Sequence, residues 1–110
     1  MPKLLRVVES EKPNKKFKAV FKMDNGREKT VHFGAKGMRD FTLISNPKSK
    51  FYIPDKKDRI KVRDNYQRRH KKDLITANNK TGVGAGALSF YLLWTTPKMN
   101  VSSYKRRFNL

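Results

Sequence analysis

Cysteine is absent from this chain of 110 residues. Without a thiol the protein can form no disulfide, no thiolate metal site and no thiol nucleophile, which suits a reducing compartment. Histidine is scarce as well, with only His32 and His70 in the chain. Few carboxylates lie near either one in the sequence, so we expect no metal site and no cofactor. Both histidines are interpreted as structural or surface residues.

Long apolar runs are also missing. None is long enough to span a bilayer, and Met1–Arg6 lacks the apolar stretch of a signal peptide. We therefore expect no membrane span, and synthesis and use inside a cell.

Acidic residues are few: nine Asp and Glu stand against 27 Lys and Arg, which gives a net charge of +18. The nine are scattered and mostly adjacent to basic residues, a pattern that favours local ion pairs and helix caps over a catalytic carboxylate pair. We therefore predict no catalytic residues and no enzyme. So large an excess of one sign makes a small chain repel itself, and it indicates an acidic partner: DNA, RNA, an anionic membrane surface or an acidic protein lattice.

The hydrophobic content of 36% and the aromatic content of 11% are enough for one small core. Residues 1–110 are therefore predicted to form a single small basic domain. Its first third alternates as a sheet does, with Phe17, Ala19 and Phe21 on one face and lysines on the other. A first strand begins near Leu5, and Asp24–Gly26 predicts a hairpin turn before a third strand.

Helices are predicted in the remainder. An irregular connection begins at Asp40–Ile44, whose aromatic and aliphatic residues are expected to pack under the sheet. Residues 55–73 then have the composition of a very basic helix, with Asp58 as its N-cap. Leu88–Trp94 is apolar on every side, which indicates a buried helix or, as the alternative, a central strand. Asn100 caps a short C-terminal helix that carries Tyr104 and Phe108 one turn apart. The predicted fold class is α+β: an N-terminal antiparallel β-meander with a hairpin, followed by a basic helix, a buried apolar helix and a short C-terminal helix.

The basic segment 56–72 holds nine Lys or Arg and two Asp, a local net charge of +7. Such a run is either a solvated helix face or a surface that docks on phosphates or carboxylates. Its arginines matter most for docking, because a guanidinium pairs two oxygens at once. Tyr66 is a core anchor or, as the alternative, a platform for a base. The candidate polyanion-binding residues are Arg59, Lys61, Arg63, Arg68, Arg69, Lys71, Lys72, Lys105, Arg106 and Arg107.

Three glycines alternate at Gly82, Gly84 and Gly86. They lack the Lys-Ser/Thr of a P-loop, and their spacing is not that of the dinucleotide fingerprint. We interpret them as small residues that allow a turn and close packing. The alternative is a bare helix N-terminus that holds a phosphate or a carboxylate.

Several segments, taken in order, resemble a family of small basic proteins of unknown function encoded by nucleocytoplasmic large DNA viruses. They are Phe33–Gly37, Asp40–Thr42, Arg68–Leu74, Gly86–Ser89, Tyr91–Trp94, Pro97 and Tyr104–Phe108. The resemblance implies a viral origin, and hence a virion component or a factor that acts on viral DNA or RNA.

Two functions fit these observations. The first is a non-enzymatic structural protein of a large DNA virus, a minor capsid or virion component whose Lys and Arg faces bridge acidic surfaces of other virion proteins. The alternative is a DNA- or RNA-binding protein that contacts phosphates without strong sequence specificity. The dispersal of basic residues along the chain favours the first, because a groove reader usually concentrates them on one element. No small-molecule substrate is expected. The predicted location is the virion and, during infection, the host cytoplasm or the viral factory.

Overall fold

A computed structural model describes all residues from 1 to 110. Three strands, β1 (Lys3–Glu9), β2 (Lys15–Lys22) and β3 (Glu28–Ala35), form an antiparallel sheet in the order β1-β2-β3. The other elements are helices, so the predicted α+β class with an N-terminal meander is confirmed. They are α1 (Phe41–Ile44), α2 (Lys56–His70), a 3₁₀ turn (Lys71–Ile75), α3 (Ala77–Thr81), α4 (Ala85–Leu88), a π-helical segment (Ser89–Leu93) and α5 (Val101–Phe108).

The sheet follows the alternation of the sequence. Phe21 pairs in register with Leu4 on one side, and Phe17 pairs with Phe33 on the side of β3. The turn between β2 and β3 includes Gly26, whose φ of +81° is the left-handed conformation that glycine adopts without strain. The predicted hairpin is therefore confirmed. A bulge at Leu5 shifts the register of β1 and leaves that side chain 45% exposed.

Helix α1 occupies a stretch in which the sequence predicted only a connection packed under the sheet. Phe41 and Ile44 are buried there, as expected. The helix begins because Asp40 has an extended backbone and its carboxylate accepts a hydrogen bond from the Leu43 amide. The sequence analysis did not predict this N-cap.

Helix α2 corrects the prediction at both ends. Asp55, not Asp58, is the N-cap: its backbone is extended and its Oδ1 accepts from the Lys57 amide at 2.7 Å. Asp58 lies in the first turn, where its charge favours the helix dipole. The helix ends at His70, and the chain tightens into the 3₁₀ turn instead of running on to Asp73.

The predicted buried segment is helical, so its alternative as a central strand is wrong. It consists of α4 and the π-helical segment, and Leu88, Leu92 and Trp94 are all buried. Glycines precede it because Asn79 packs against them: a Cβ at Gly84 would lie 2.1 Å from the Asn79 Oδ1. The same oxygen accepts a hydrogen bond from the Ala87 amide at 3.0 Å, so Asn79 fastens α3 to α4.

Helix α5 closes the core. Asn100 caps it as predicted, accepting from the Ser103 amide at 2.9 Å, and Tyr104 is buried with its ring 4.8 Å from that of Phe108. The Tyr104 hydroxyl donates to the Gly82 carbonyl at 2.6 Å. None of the helices has the length and apolar character that crossing a membrane requires. The buried core consists of Leu4, Ala19, Phe21, Phe33, Phe41, Ile44, Val83, Ala87, Leu88, Leu92, Leu93, Trp94, Tyr104 and Leu110.

Candidate polyanion-binding site

Most of the positive charge has no internal counter-charge. Of the 27 Lys and Arg side chains, only Lys16, Lys18 and Arg63 lie within 4.0 Å of a carboxylate, which leaves the other 24 unpaired. Unpaired cations on so small a surface repel one another, and an external anion relieves that repulsion.

Two of the predicted arginines of α2 make contacts within the protein. The Arg59 guanidinium donates to the carbonyls of Ile53 and Pro54, at 2.7 and 3.0 Å. The Arg63 guanidinium lies over the Phe41 ring, 5.3 Å from its centroid, and also contacts Asp64. These contacts attach α2 to the preceding loop and to α1, so less of each guanidinium is available to an outside anion.

The other predicted residues of this segment are exposed. Arg68 and Arg69 project from the last turn of α2, and the only side-chain contact of Arg68 is with the Asn65 Oδ1 at 3.4 Å. Lys71 and Lys72 follow in the 3₁₀ turn. Together they place four exposed cations within five residues. Lys61, one of the candidates named above, is exposed further back on α2.

Arg68 and Arg69 also line a concave site, here called the basic cleft, of about 780 Å³ between α2 and the end of the sheet. Two further cations line it, Lys16 from β2 and Arg39 from the segment after β3. Sequence reasoning assigned Lys16 only to the basic face of a strand and did not select Arg39. The one available signal for Arg39 was its place directly before Asp40–Thr42, a segment that carries the viral resemblance.

Asp40 is the only carboxylate that lines the basic cleft. It is 2% exposed, and its Oδ2 accepts from the Lys16 Nζ at 2.6 Å while its other oxygen caps α1. The Lys16 Nζ also donates to the Met38 carbonyl at 2.7 Å. Lys16 and Asp40 therefore neutralise each other, and the three arginines of the cleft keep their full charge.

Three stacked rings form one wall of the basic cleft. The Tyr66 centroid lies 4.2 Å from that of His70 and 4.1 Å from that of Trp94. Two rings this close must lie on opposite faces of Tyr66, so the alternative that Tyr66 stacks on a base is wrong. Burial raises the pKa of the Tyr66 phenol to about 12, because the charged form loses its hydration. Its hydroxyl therefore stays protonated at neutral pH.

Each of the two histidines has a hydrogen-bond partner within the protein. Nδ1 of His70 lies 3.2 Å from the Asp73 Oδ2, and Nδ1 of His32 lies 2.7 Å from the Ser10 Oγ. No group of three or more His, Asp or Glu side chains in the structure is arranged to hold a metal ion.

The C-terminal candidates lie away from the basic cleft. Lys105 and Arg106 are exposed on α5, and the Arg107 guanidinium lies 4.3 Å from the centroid of the Tyr91 ring. They form a separate cationic edge.

A further basic surface lies on the face of the sheet turned away from the core, here called the outer sheet face. Lys3, Arg6 and Lys22 are exposed there, and Lys3 stands opposite Lys22 in the register. Like charges directly opposite one another destabilise a sheet. Of these three, the sequence placed only Lys22 on a basic face.

The glycine-rich segment does not offer a bare helix N-terminus. The side chain of Asn79 already accepts from the Ala87 amide in the first turn of α4. The interpretation as close packing is confirmed, because Gly82, Gly84 and Gly86 each have a neighbouring side chain where a Cβ would lie.

Comparison with known proteins adds one similarity. Residues 5–52 match the sequence model of a family described as "Family of unknown function (DUF5754)". The matched stretch contains the rest of the sheet after Leu4, α1, and the three charged residues that the sheet side gives to the basic cleft: Lys16, Arg39 and Asp40. Neither a curated protein nor a solved structure matches the chain.

Proposed function

We propose that the chain is a non-enzymatic structural protein of a large DNA virus, a minor component of the capsid or virion. In this role it bridges acidic surfaces of neighbouring proteins through its Lys and Arg faces. The observation that carries the proposal is the set of 24 cations without a carboxylate partner, spread over the chain and including those of the outer sheet face, α2 and α5. The viral setting rests on the sequence resemblance described above. The proposed location is accordingly the virion and, during infection, the host cytoplasm or the viral factory.

Bridging requires cationic groups on more than one side of the molecule. The outer sheet face is turned away from the helices, whereas Lys61, Lys71 and Lys72 are exposed on α2 and the turn after it. The molecule measures 46 × 28 × 22 Å, so a partner on each side would be held a few nanometres apart. Each partner relieves the repulsion among the cations of its own side.

Nucleic-acid binding is the second candidate, and one observation favours it. Arg68, Arg69, Lys71 and Lys72 are concentrated at a single end of α2, as in a phosphate-binding element. Contacts of this kind follow the backbone and carry little sequence specificity.

The two candidates differ in a bridging assay. The protein is mixed with polyglutamate-coated particles, and cross-linking is followed by light scattering while binding to a polyglutamate surface is measured separately. Two triple variants remove the same charge from different sides: Lys3→Gln, Arg6→Gln and Lys22→Gln on the sheet, and Lys61→Gln, Lys71→Gln and Lys72→Gln on the α2 side. Each should still bind a surface but cross-link particles far less than the parent, with circular dichroism confirming that both are folded.

Binding without cross-linking by the parent, or full cross-linking by both variants, contradicts the bridging role. Duplex DNA is titrated in parallel over a range of salt concentrations. The nucleic-acid candidate is favoured if DNA binds much more tightly than polyglutamate and the α2 variant lowers the salt slope by about 3, as the loss of three phosphate contacts requires. Mass spectrometry of purified virions tests the viral setting.

A further inference from the structure

The basic cleft differs in shape from the surfaces that the bridging proposal uses. It is concave, and its volume of about 780 Å³ falls within the range of roughly 300–1,000 Å³ that is typical of small-molecule sites. An acidic protein surface would meet the exposed faces of the molecule, whereas a cleft of this size encloses a compact group.

The charge inside the cleft is unbalanced. Arg39, Arg68 and Arg69 line it without a carboxylate partner, while Asp40 is used by Lys16 and by the cap of α1. This leaves an excess of three positive charges, which suits a dianion better than a single carboxylate. Guanidinium groups bind phosphate oxygens in pairs, through two parallel N–H donors.

The uncharged polar groups of the lining add donors. The Tyr66 hydroxyl has no hydrogen-bond partner in the protein, and it is not sealed from solvent. A phenol is protonated at neutral pH, so this hydroxyl can donate a hydrogen bond to a ligand. The Asn65 Oδ1 accepts from Arg68, so its amide nitrogen remains free to donate. A lining rich in donors fits a ligand rich in acceptors.

Apolar groups complete the cleft. Val62 of α2, Leu93 of the π-helical segment and Trp94 line it together with the cations. A bare anion would leave these groups in water, whereas an anion attached to a planar or apolar body would cover them.

We infer that the basic cleft binds a phosphate monoester carried on a planar or apolar body, the chemical class to which nucleotides belong. This binding is independent of bridging, since it uses a concave site and not the outer faces. Two sources supply the same chemistry: a free nucleotide, or the 5′-phosphorylated end of a nucleic acid strand. Arg39, Arg68 and Arg69 bind the phosphate, and the apolar groups bind the body.

The test uses the full chain and isothermal titration calorimetry with adenosine 5′-monophosphate, adenosine and a tetraglutamate peptide. Arg68→Gln with Arg69→Gln removes two charges from the cleft, and Lys105→Gln with Arg106→Gln removes two from α5 as the matched control. Ala35→Phe fills the cleft without changing the charge, because Ala35 lines it and is exposed. Ala85→Phe adds the same ring at an exposed position outside it.

The nucleotide is expected to bind and adenosine is not. The cleft arginine variant should lose at least about tenfold in affinity, as the removal of two charge-assisted contacts implies, and the α5 control less than about twofold. Ala35→Phe should lose binding while Ala85→Phe keeps it. The inference is overturned if the nucleotide does not bind, if both arginine pairs weaken it equally, or if tetraglutamate binds the cleft more tightly. Should either arginine variant fail to fold, the pair of phenylalanine variants decides alone.

A second arm separates the two sources. Single-stranded oligonucleotides with a 5′-phosphate or a 5′-hydroxyl are compared on the parent and on Ala35→Phe. A 5′-phosphate preference that Ala35→Phe abolishes, with weak binding of the free nucleotide, identifies the strand end as the ligand. Tight binding of the free nucleotide with no such preference identifies the nucleotide. If a folded protein shows neither a 5′-phosphate preference nor binding of the free nucleotide, the inference is overturned. The cross-linking of polyglutamate-coated particles is also measured with Ala35→Phe. Loss of nucleotide binding with unchanged cross-linking shows that the cleft and the bridging surfaces act independently.

Discussion

The hydroxyl of Tyr104 offers a test of how α5 closes the core. Tyr104 is 2% exposed, and its hydroxyl donates to the Gly82 carbonyl at 2.6 Å. Tyr104→Phe keeps the ring and its packing on Phe108 but leaves that buried carbonyl without a donor. The loss of such a bond, with its partner left unsatisfied, destabilises a protein by about 1–3 kcal/mol. Urea unfolding at neutral pH, followed by circular dichroism, should show a loss in that range.

Alkaline pH gives a second measurement on the same variant. Burial raises the pKa of Tyr104 well above its usual value, so the folded state retains a proton that the unfolded chain releases above about pH 10. A group whose folded pKa is raised contributes stability below its unfolded pKa and loses it as the pH rises toward the folded value. At about pH 11 the parent loses about 1.4 kcal/mol from this residue, and Tyr104→Phe loses none. The difference in the free energy of unfolding between the parent and Tyr104→Phe should therefore be smaller at that pH, by the same amount.

Tyr52→Phe is the matched control, because it removes a hydroxyl that has no hydrogen-bond partner in the protein. The Tyr52 ring, which lies 5.8 Å from the Arg59 guanidinium, is kept. Tyr52→Phe should leave the free energy of unfolding at neutral pH unchanged. Two results together would refute the role of the hydroxyl as a donor to the Gly82 carbonyl. They are equal stability of Tyr104→Phe and the parent at neutral pH, and parallel plots of the free energy of unfolding against pH up to about pH 11.

Two further predictions concern the core. Trp94→Ala should destabilise the protein by about 3–5 kcal/mol, since it removes a buried ring stacked on Tyr66; a variant that melts like the parent would mean that this segment is not part of the core. Deletion of Tyr104–Leu110 should destabilise the isolated domain, because Tyr104 and Leu110 are buried and the Leu110 carbonyl accepts from the Leu4 amide at 3.3 Å. A truncated chain with an unchanged thermal unfolding midpoint would contradict closure of the core by α5.

Local patterns were enough to predict the three strands, α2, the buried helix and α5, but not α1, α3 or every helix end. The alternation of Phe17, Ala19 and Phe21 and the turn at Asp24–Gly26 predict the hairpin, since both signals are contained in a few adjacent residues. The start of α2 was misplaced by three residues, from Asp55 to Asp58, because either aspartate has the chemistry of a cap and only the backbone angles distinguish them.

The basic cleft could not be predicted, because its cations come from distant parts of the chain. Lys16, Arg39 and Arg68 meet only when α2 packs beside the end of the sheet. The interaction of Asp40 with Lys16 spans 24 positions and has no local signature. The role of the alternating glycines could not be predicted either, since it depends on Phe108 packing against Gly82 and on Asn79 packing against Gly84 and Gly86.

The π-helical segment Ser89–Leu93 limits how far the chain can be shortened at this point. A π turn holds about one residue more than an α turn, so deleting one residue would let α4 continue as an ordinary α-helix with the flanking residues facing nearly as before. Deleting two would rotate everything after the deletion by about 100°, the angle of one α-helical residue. Trp94 would then leave its stack with Tyr66. We expect homologues to differ in length here by at most this one extra residue.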